Sequence, residues 1–386
     1  METLNVPGQD LGVRQRIPSL NPLYPGCPAL FIQSGSTDSD IDGTADLIAR
    51  EGLGLVVTVN VKHRMNRLNR LAKTIKASGG SMRHVLVDAD HYSGTNRNVA
   101  PQTLSRDWIQ AQFDAGCTFA TTDSPYIPEG QLEALRSVLL QGKALGPNVL
   151  TVLPLHISWL TKRAHILLKE INEVGVPVAL VLEHKGDPLG THAAVDGLVE
   201  VLDAAAAAVC LLRSDISTIG AVAFGASLGA IGTTTGLRHN YATDPPKPDE
   251  KKPFIPRAAV GAYVPRCMTY RTLEKLNDAI DSDPEHQERW ICLCAECGGR
   301  TMALIVTEVD AYQHSIASIA EMGDDLLGHL SDPDEMRRSW VAKCRAAQTT
   351  NDEVADETGI KWESPGFIGA WQALLPWEEP HTVISV

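Results

Sequence analysis

The sequence predicts an α/β fold, a (β/α)8 barrel followed by a C-terminal helical region. Three observations support this prediction. Eight short apolar runs alternate with longer amphipathic stretches between residues 29 and 227. The runs are almost continuously apolar, which is typical of parallel strands buried on both faces. Eight strands in about 200 residues are enough to close a TIM barrel, whereas a doubly wound open sheet, the alternative, usually has fewer.

The predicted strands are, in order, 29–34, 55–61, 84–88, 118–122, 149–155, 177–182, 208–213 and 221–227. Amphipathic periodicity predicts helices between them at 65–78, 104–115, 129–141, 158–174 and 191–207. The proline- and charge-rich segment 242–257 predicts a surface loop. We therefore expect three regions: an N-terminal segment at 1–28, the barrel at 29–265, and a subdomain with a tail at 266–386. The tail should form loops and a short helix docked on the barrel through Trp371 and Trp377.

The amino-acid composition and net charge limit the kinds of protein that this chain could be. The chain has 386 residues, 44% of them hydrophobic, which is enough to bury a large core. Its net charge of −13 excludes a generally basic surface, so a nucleic-acid partner would need a local basic patch. No apolar run reaches the roughly 20 residues of a membrane helix, and the N-terminus does not resemble a signal peptide. We expect a cytoplasmic protein, in which clustered cysteines favour metal over disulfides.

A cysteine cluster predicts a metal site. The segment Ile-Cys-Leu-Cys-Ala-Glu-Cys at 291–297 has C-x-C-x-x-C spacing, and three thiolates so close converge readily on one tetrahedral ion. His314 is the preferred fourth ligand, with His329 and Cys344 as competitors. A closed Cys3His site leaves no position for a catalytic water, so we expect structural Zn2+ in a zinc-binding subdomain; the alternative is three free thiols. The predicted ligands are Cys292, Cys294, Cys297 and His314.

Carboxylates follow several of the predicted strands. In a parallel barrel, chemistry collects at the C-terminal ends of the strands. Acids stand there after strands three, four, six and seven, and strand five ends at His156; the acids are Asp88, Asp123, Glu183 and Asp215. Converging acids suit metal binding, or nucleophile and general-base chemistry at a sugar carbon. The alternative is that they cap the following helices, and Asp90 is interpreted as a cap or loop residue.

Three segments make the chain resemble the tRNA-guanine transglycosylase family over roughly residues 29–330. Asp88-Ala-Asp-His-Tyr92 resembles that family's Asp-Ser-Gly-Gly-Phe segment, and Thr122-Asp123-Ser-Pro-Tyr resembles its Phe-Asp-Glu-Cys-x-Pro segment. The cysteine cluster and Ala-Tyr-Gln-His314-Ser-Ile resemble its zinc-binding segments. The divergent members that place 7-deazaguanine bases in DNA resemble the chain better. Their divergence from the tRNA enzymes, and the lack of an appended RNA-binding domain in this sequence, favour DNA as the expected substrate.

The resemblance implies roles for the acids. Asp123 would accept hydrogen bonds from the guanine edge, Tyr92 would stack on the base, and Asp88 would act as general acid and base. The family's nucleophile is an Asp that follows a Phe on strand eight, but here Phe224 is followed by Gly225. We therefore expect Asp215, one strand away, to attack the sugar.

Further residues are expected to support this site. Lys185 or Arg213 would keep Asp215 ionised, although a buried ion pair inside the barrel mouth is an equally good interpretation of Arg213. His156, Lys185 and Arg213 join the predicted substrate-binding residues.

The expected partners are DNA, or alternatively tRNA, and a base such as 7-cyano-7-deazaguanine. The basic segment 62–76 would grip phosphates, or else form a solvated helix face. A homodimer or a helper protein is compatible with the sequence. Rival hypotheses are an inactive nucleic-acid-binding paralogue and an unrelated barrel hydrolase with a catalytic metal.

Overall fold

A computed structural model describes residues 21–36, 44–59, 63–94, 97–184, 186–241, 261–328 and 332–374, and the structural statements that follow concern these residues. Its centre is a sheet of eight parallel strands. These are β1 (Leu30–Ser34), β2 (Gly54–Thr58), β3 (Val85–Asp88), β4 (Ala120–Thr121), β5 (Val149–His156), β6 (Val178–Glu183), β7 (Val209–Ser214) and β8 (Leu228–Gly232).

The strands close into a barrel with one seam. Their order is β3-β2-β1-β8-β7-β6-β5-β4, so the first and last strands in sequence pair with each other. At the seam between β3 and β4, the Thr121 hydroxyl donates to the Val87 carbonyl. The side chain of Gln112 bonds both the N–H and the carbonyl of Thr121, each at 2.9 Å. The predicted TIM barrel is thereby confirmed as a near-closed eight-stranded barrel.

Helices connect the strands and cover the barrel. They are α1 (Thr44–Arg50), α2 (Arg64–Ala77), α3 (Arg106–Ala115), α4 (Leu132–Leu145), α5 (Ser158–Thr161), α6 (Ala164–Val174), α7 (His192–Ala204), α8 (Ser217–Ala223) and α9 (Thr235–Arg238). Local sequence sets their ends. In α3, the Ser105 hydroxyl caps the first turn by accepting from the Trp108 N–H, and Gly116 ends the helix with φ +101°.

The predicted eighth strand, 221–227, is wrong. Residues 217–223 form α8, and β8 begins only at Leu228. Every residue of α8 is buried, partly under Trp340, so the segment shows no amphipathic period that would distinguish a helix from a buried strand. Gly225, with φ +113°, makes the turn into β8. Phe224 and Gly225 therefore do not lie on a strand.

Alternation along the strands makes the barrel interior apolar and its mouth polar. Phe31, Val56, Leu86, Val181 and Leu212 belong to the interior cluster. Residues an even number of positions further along a strand share its inward face, and at the C-terminal ends of the strands the side chains on this face are polar. These are Gln33, Thr58, Asp88, His156 and Glu183.

The remaining elements pack against the barrel. They are the hairpin β9 (Gly261–Val264) and β10 (Thr269–Thr272), α10 (Leu273–Asp281), the short pair β11 (Ile291–Cys292) and β12 (Arg300–Thr301), α11 (Glu308–Leu327), α12 (Pro333–Thr358) and α13 (Gly366–Gln372). The short helix expected in the tail is α13, and Trp371 is buried; Trp377 and the predicted loop 242–257 lie outside the described residues. None of the described helices has the length and apolarity to cross a membrane.

Gly197 lies where α7 packs closely on α5. A Cβ on Gly197 would lie 2.2 Å from the Leu160 carbonyl oxygen. Gly197→Ala should therefore lower the free energy of unfolding by about 1–3 kcal/mol through overpacking. Gly369→Ala in α13 is the matched control: a Cβ there has nothing within 4 Å, and the free energy should stay unchanged or rise by about 0.5–1 kcal/mol. Urea unfolding measures both, and equal stability of the two variants would contradict the described contact.

Candidate functional site

Asp88 lies at the end of β3, buried and held by neutral donors. One carboxylate oxygen accepts from the Tyr92 hydroxyl at 2.7 Å and from the Gln33 amide at 3.1 Å. The other accepts from the Asp90 N–H at 3.0 Å. Burial, and then the charge of Asp90, raise the pKa of Asp88, although Arg213 opposes them. Asp88 is thus biased towards its protonated form.

Arg213 pairs with Asp90 across the mouth. Its guanidinium donates to the Asp90 carboxylate and to the Gly236 carbonyl, the latter at 3.0 Å, while its backbone N–H donates to Gln33 at 2.6 Å. Both partners have positive φ, 53° for Arg213 and 49° for Asp90. The β7–β8 register shifts at this point. Such strain and bulging are common where a site re-aims a side chain.

Asp215 follows β7 and contacts basic side chains other than the expected ones. Its carboxylate accepts from the Ile216 N–H at 2.7 Å, and lies 3.5 Å from Arg238 Nε and 3.5 Å from His239 Nε2. Burial favours the protonated form, but His239 and Arg238 outweigh it and lower the pKa of Asp215. Arg213 is paired with Asp90, and Lys185 lies outside the described residues.

The acid Asp187, in the loop between β6 and α7, was not singled out from the sequence. Its carboxylate accepts from the Leu189 N–H at 2.9 Å. Burial, followed by the charge of Asp215, raises the pKa of Asp187 to about 6. The missed signal is its position in the loop that follows a barrel strand, the same criterion that selected Asp215. Arg238 and His239 were not predicted as partners of Asp215 either.

Both carboxylate oxygens of Asp123 accept hydrogen bonds. One accepts from Arg64 at 2.8 Å and the other from the Ser105 N–H at 2.9 Å. Arg64 also lies 2.8 Å from His91 Nε2, and burial together with this arginine lowers the pKa of His91. Arg64 comes from the predicted phosphate-gripping segment, so part of that segment is directed into the mouth.

The rest of the basic segment forms a mostly exposed face of α2. Arg67 donates to the Ser36 hydroxyl at 2.6 Å, and Lys73 and Lys76 are exposed. Lys62 lies outside the described residues. This arrangement is compatible with both interpretations of the segment.

His156 and Glu183 are register partners on β5 and β6. Glu183, buried, accepts from the Tyr126 hydroxyl at 2.7 Å and pairs with Arg97, whose guanidinium lies 4.0 Å from the centre of the Tyr126 ring. His156 Nδ1 lies 2.8 Å from the Ser158 hydroxyl. The position of Glu183 at a strand end could be recognised in the sequence, whereas no sequence pattern indicated that Arg97 would pair with it.

The predicted metal ligands come together. The Sγ atoms of Cys292, Cys294 and Cys297 and Nδ1 of His314 lie within 4.8 Å of one another, and all four residues are buried. Nδ1 is 3.5 Å from the sulfur of Cys294 and 3.1 Å from that of Cys297. Bonds of about 2.3 Å to sulfur and 2.0 Å to nitrogen give tetrahedron edges near these lengths. The group could therefore hold a metal ion such as zinc, with His314 as fourth member as predicted.

The surroundings of the cluster suit a cation. His314 Nε2 lies 2.7 Å from the Tyr263 carbonyl oxygen, which fixes the tautomer that turns the Nδ1 lone pair towards the sulfurs. Burial opposes a charged imidazole, but contacts with Cys292 and Cys294 raise the pKa of His314 to about 10. Hydrogen bonds from Cys292 and Cys297 lower the pKa of Cys294 far below the ordinary thiol value. The same kind of contact, with Cys292 and Cys294, raises the pKa of Cys297, so the thiols share negative charge at the place where an ion would bind.

No protein-family model matches the chain, and no curated protein matches it. Among solved structures, 3-hexulose-6-phosphate synthase from Salmonella typhimurium matches with 16% identity over 53% of this chain and 89% of that chain, at a TM-score of 0.32. Deoxyribose phosphate aldolase from Aeropyrum pernix matches with 15% identity over 54% and 86%, at 0.33. A mutant tryptophan synthase alpha-subunit from Pyrococcus furiosus matches with 11% identity over 53% and 86%, at 0.34.

The raised pKa of Asp187 predicts a pH-dependent stability. The folded protein holds this proton up to about pH 6, whereas an unfolded aspartate loses it near 3.9. The ionised carboxyl thus destabilises the folded state above pH 6, and the effect fades as the pH falls towards 4. Asp187→Asn, which keeps the oxygen that bonds Leu189, should raise Tm at pH 7.5 and change it much less at pH 4.5. The exposed Asp114→Asn is the control, and a pH-independent shift in Asp187→Asn would contradict the assignment.

The metal cluster predicts a defined metal content. Purified protein should contain about one ion per chain, and Cys294→Ser should lose it and unfold at a lower temperature, because metal binding contributes directly to folding. Cys344→Ser removes another buried thiol outside the cluster and should keep the ion. Elemental analysis and thermal unfolding measure both effects. Full metal content in Cys294→Ser would exclude this cluster as the binding site.

Proposed function

We propose that this chain is a transglycosylase that exchanges guanine for a 7-deazaguanine base in DNA. One observation carries the proposal: two carboxyls of the same barrel mouth lie in environments that shift their pKa values in opposite directions. The pKa of Asp88 is raised and that of Asp215 is lowered. Such a pair suits a division into a proton donor and an ionised group.

Asp215 is the proposed nucleophile. The target guanine first leaves the base stack, which costs a few kcal/mol. A carboxylate oxygen of Asp215 then forms a bond to the anomeric carbon while the glycosidic bond breaks, and the electron pair of that bond leaves with guanine. The lowered pKa keeps this carboxylate ionised at neutral pH, and the contacts of Arg238 and His239 orient it.

Asp88 is the proposed general acid and base. Its proton goes to the departing guanine, whose nitrogen would otherwise leave as an anion. The incoming 7-deazaguanine then attacks the anomeric carbon, the bond to Asp215 breaks, and the proton lost by the incoming base returns to Asp88. Each turnover thus restores both carboxyls.

The ends of β7 and β8 support this choice of nucleophile. β8 ends at Gly232 and is followed by threonines, so the described end of this strand offers no carboxylate. β7 is its direct neighbour, roughly 4.8 Å away, and Asp215 is the acid at the end of β7. A nucleophile delivered from β7 would reach much the same space as one from β8.

The metal cluster is proposed to hold a structural zinc ion. All four ligand positions are filled by protein side chains, so no open position remains for water or substrate. The ion would fix the segment 291–301 against α11, which carries His314. No step of the exchange involves it.

A base-exchange assay tests the proposal. Labelled guanine and labelled 7-cyano-7-deazaguanine are offered with duplex DNA and, separately, with tRNA. We expect label in DNA. Asp88→Asn should slow incorporation by about 10²–10⁴-fold, because that is the usual contribution of a general acid, and Asp215→Asn should abolish the covalent enzyme–DNA adduct on a denaturing gel.

The controls separate the rival functions. Asp114→Asn, an exposed substitution on α3, should keep the full rate. Label in tRNA alone would assign the chain to the RNA reaction, and no label in either nucleic acid would favour an inactive paralogue. Near-normal turnover in Asp215→Asn would exclude this residue as the nucleophile.

A further inference from the structure

Asn240 is a buried polar residue with no visible structural purpose for its side chain. It is 1% exposed, and neither its Nδ2 nor its Oδ1 has a hydrogen-bond partner among the described residues. Buried amides are nearly always hydrogen-bonded, because the desolvated N–H and C=O groups are otherwise costly. An amide left open on both sides in a barrel mouth is placed to meet a ligand.

The backbone shows where this side chain lies. Asn240 follows α9 and forms a parallel bridge with Glu183, and its carbonyl accepts from the His184 N–H at 3.1 Å. Glu183 is in turn the register partner of His156. His156, Glu183 and Asn240 thus form one row across neighbouring strand positions, each about 4.8 Å from the next.

All members of this row share the inward face. Ala179 and Val181, which precede Glu183 at even spacing on β6, belong to the interior cluster of the barrel. Residues paired in a parallel ladder present their side chains on the same face, so Asn240 shares the inward face of Glu183. The segment 238–240 takes the place beside β6 that the end of β7 vacates at its bulge.

The row has a defined pattern of donors and acceptors. The amide of Asn240 offers one N–H side and one carbonyl side. The carboxylate of Glu183 accepts from Tyr126 and Arg97, and two oxygens leave it further capacity to accept. With its carbonyl side turned towards Glu183, the Asn240 amide would present a donor and then an acceptor, followed by the acceptor Glu183.

A guanine edge has the complementary pattern. It presents the O6 acceptor, the N1–H donor and the exocyclic amine donor in that order. We infer that Asn240 is a base-reading residue that pairs with the lactam edge of a 6-oxopurine or its 7-deaza analogue, with Glu183 receiving the exocyclic amine. This inference rests on the proposed function and adds to it the residues that select the base.

The assignment gives the base a reader other than Asp123. Each oxygen of Asp123 already accepts one hydrogen bond, as does each oxygen of Glu183, so neither carboxylate needs a ligand for its first partner. Asn240, in contrast, gains its first hydrogen bonds when the base binds. The row also distinguishes bases: adenine presents a donor where guanine has O6, and it has no amine for Glu183.

Equilibrium dialysis with guanine, hypoxanthine and 2-aminopurine tests the inference on the full-length protein. Hypoxanthine lacks the exocyclic amine, and 2-aminopurine lacks both O6 and N1–H. The native protein should bind in the order guanine, hypoxanthine, 2-aminopurine. Asn240→Leu should weaken guanine binding by about 10- to 100-fold, the effect of two lost hydrogen bonds, and should bind guanine and 2-aminopurine alike.

Thermal unfolding supplies a second readout, because a structural role for the Asn240 side chain would change Tm in the opposite direction. Asn240→Leu should keep or raise Tm, because it removes two unsatisfied buried groups. Asn351→Leu is the matched control, since Asn351 is equally buried but bonds Cys267, Ala347 and Trp362, and its replacement should lower Tm. Asn240→Ala, which only shortens the side chain, replaces the leucine variant if that variant does not fold.

The outcomes separate the two proposals. A native protein that binds guanine with the stated preference, and an Asn240→Leu variant that retains it, would overturn the inference and leave the exchange activity standing. A low Tm in Asn240→Leu, comparable to that of Asn351→Leu, together with unchanged selectivity would make Asn240 a structural residue. A native protein that neither binds nor exchanges any of these bases would overturn both proposals.

Discussion

The fully buried side-chain amide of Gln33 ties together the strands that build the mouth. Its nitrogen donates to Asp88 at 3.1 Å and to Thr58 at 2.8 Å, and its oxygen accepts from the Arg213 N–H at 2.6 Å. One side chain on β1 therefore fixes β2, β3 and the bulge of β7. Because that bulge displaces the end of β7, it determines where Asp215 stands and leaves the edge of β6 to the segment after α9. The amide cannot be replaced by an apolar group without leaving several buried partners unsatisfied.

The mouth balances its charges locally in a chain of net charge −13. Asp90, Asp123, Glu183 and Asp215 each lie beside an arginine, and these arginines come from different parts of the chain. Asp88 and Asp187 are the exceptions: the described donors to each of them are neutral, and the pKa of each rises. This contrast, more than the number of acids, separates a proton carrier from ionised carboxylates.

The sequence predicted the barrel and the metal cluster because both depend on local patterns. Seven strands follow from apolar runs, and the metal ligands follow from the C-x-C-x-x-C spacing and one later histidine. The eighth strand could not be found in this way, since α8 is buried all round and lacks a helical period. The partners of the acids were not visible either: Arg97 with Glu183, Arg64 with Asp123, and Arg213 with Asp90 are brought together only by closure of the barrel. Asn240 could not be singled out from the sequence, because its proposed role rests on the lack of hydrogen-bond partners for its side chain among the described residues.

The barrel has a seam between β3 and β4, where no strand ladder joins the two strands. One side-chain bond crosses the seam, from the Thr121 hydroxyl to the Val87 carbonyl, while the Gln112 amide of α3 holds the Thr121 backbone. Because few bonds cross it, local opening of the barrel should cost the least free energy at this seam. Loop residues 98–100 and Tyr126 span the same gap at the mouth. The seam is thus held by isolated bonds, whereas the opposite wall, where β1 pairs with β8, is held by a continuous strand ladder.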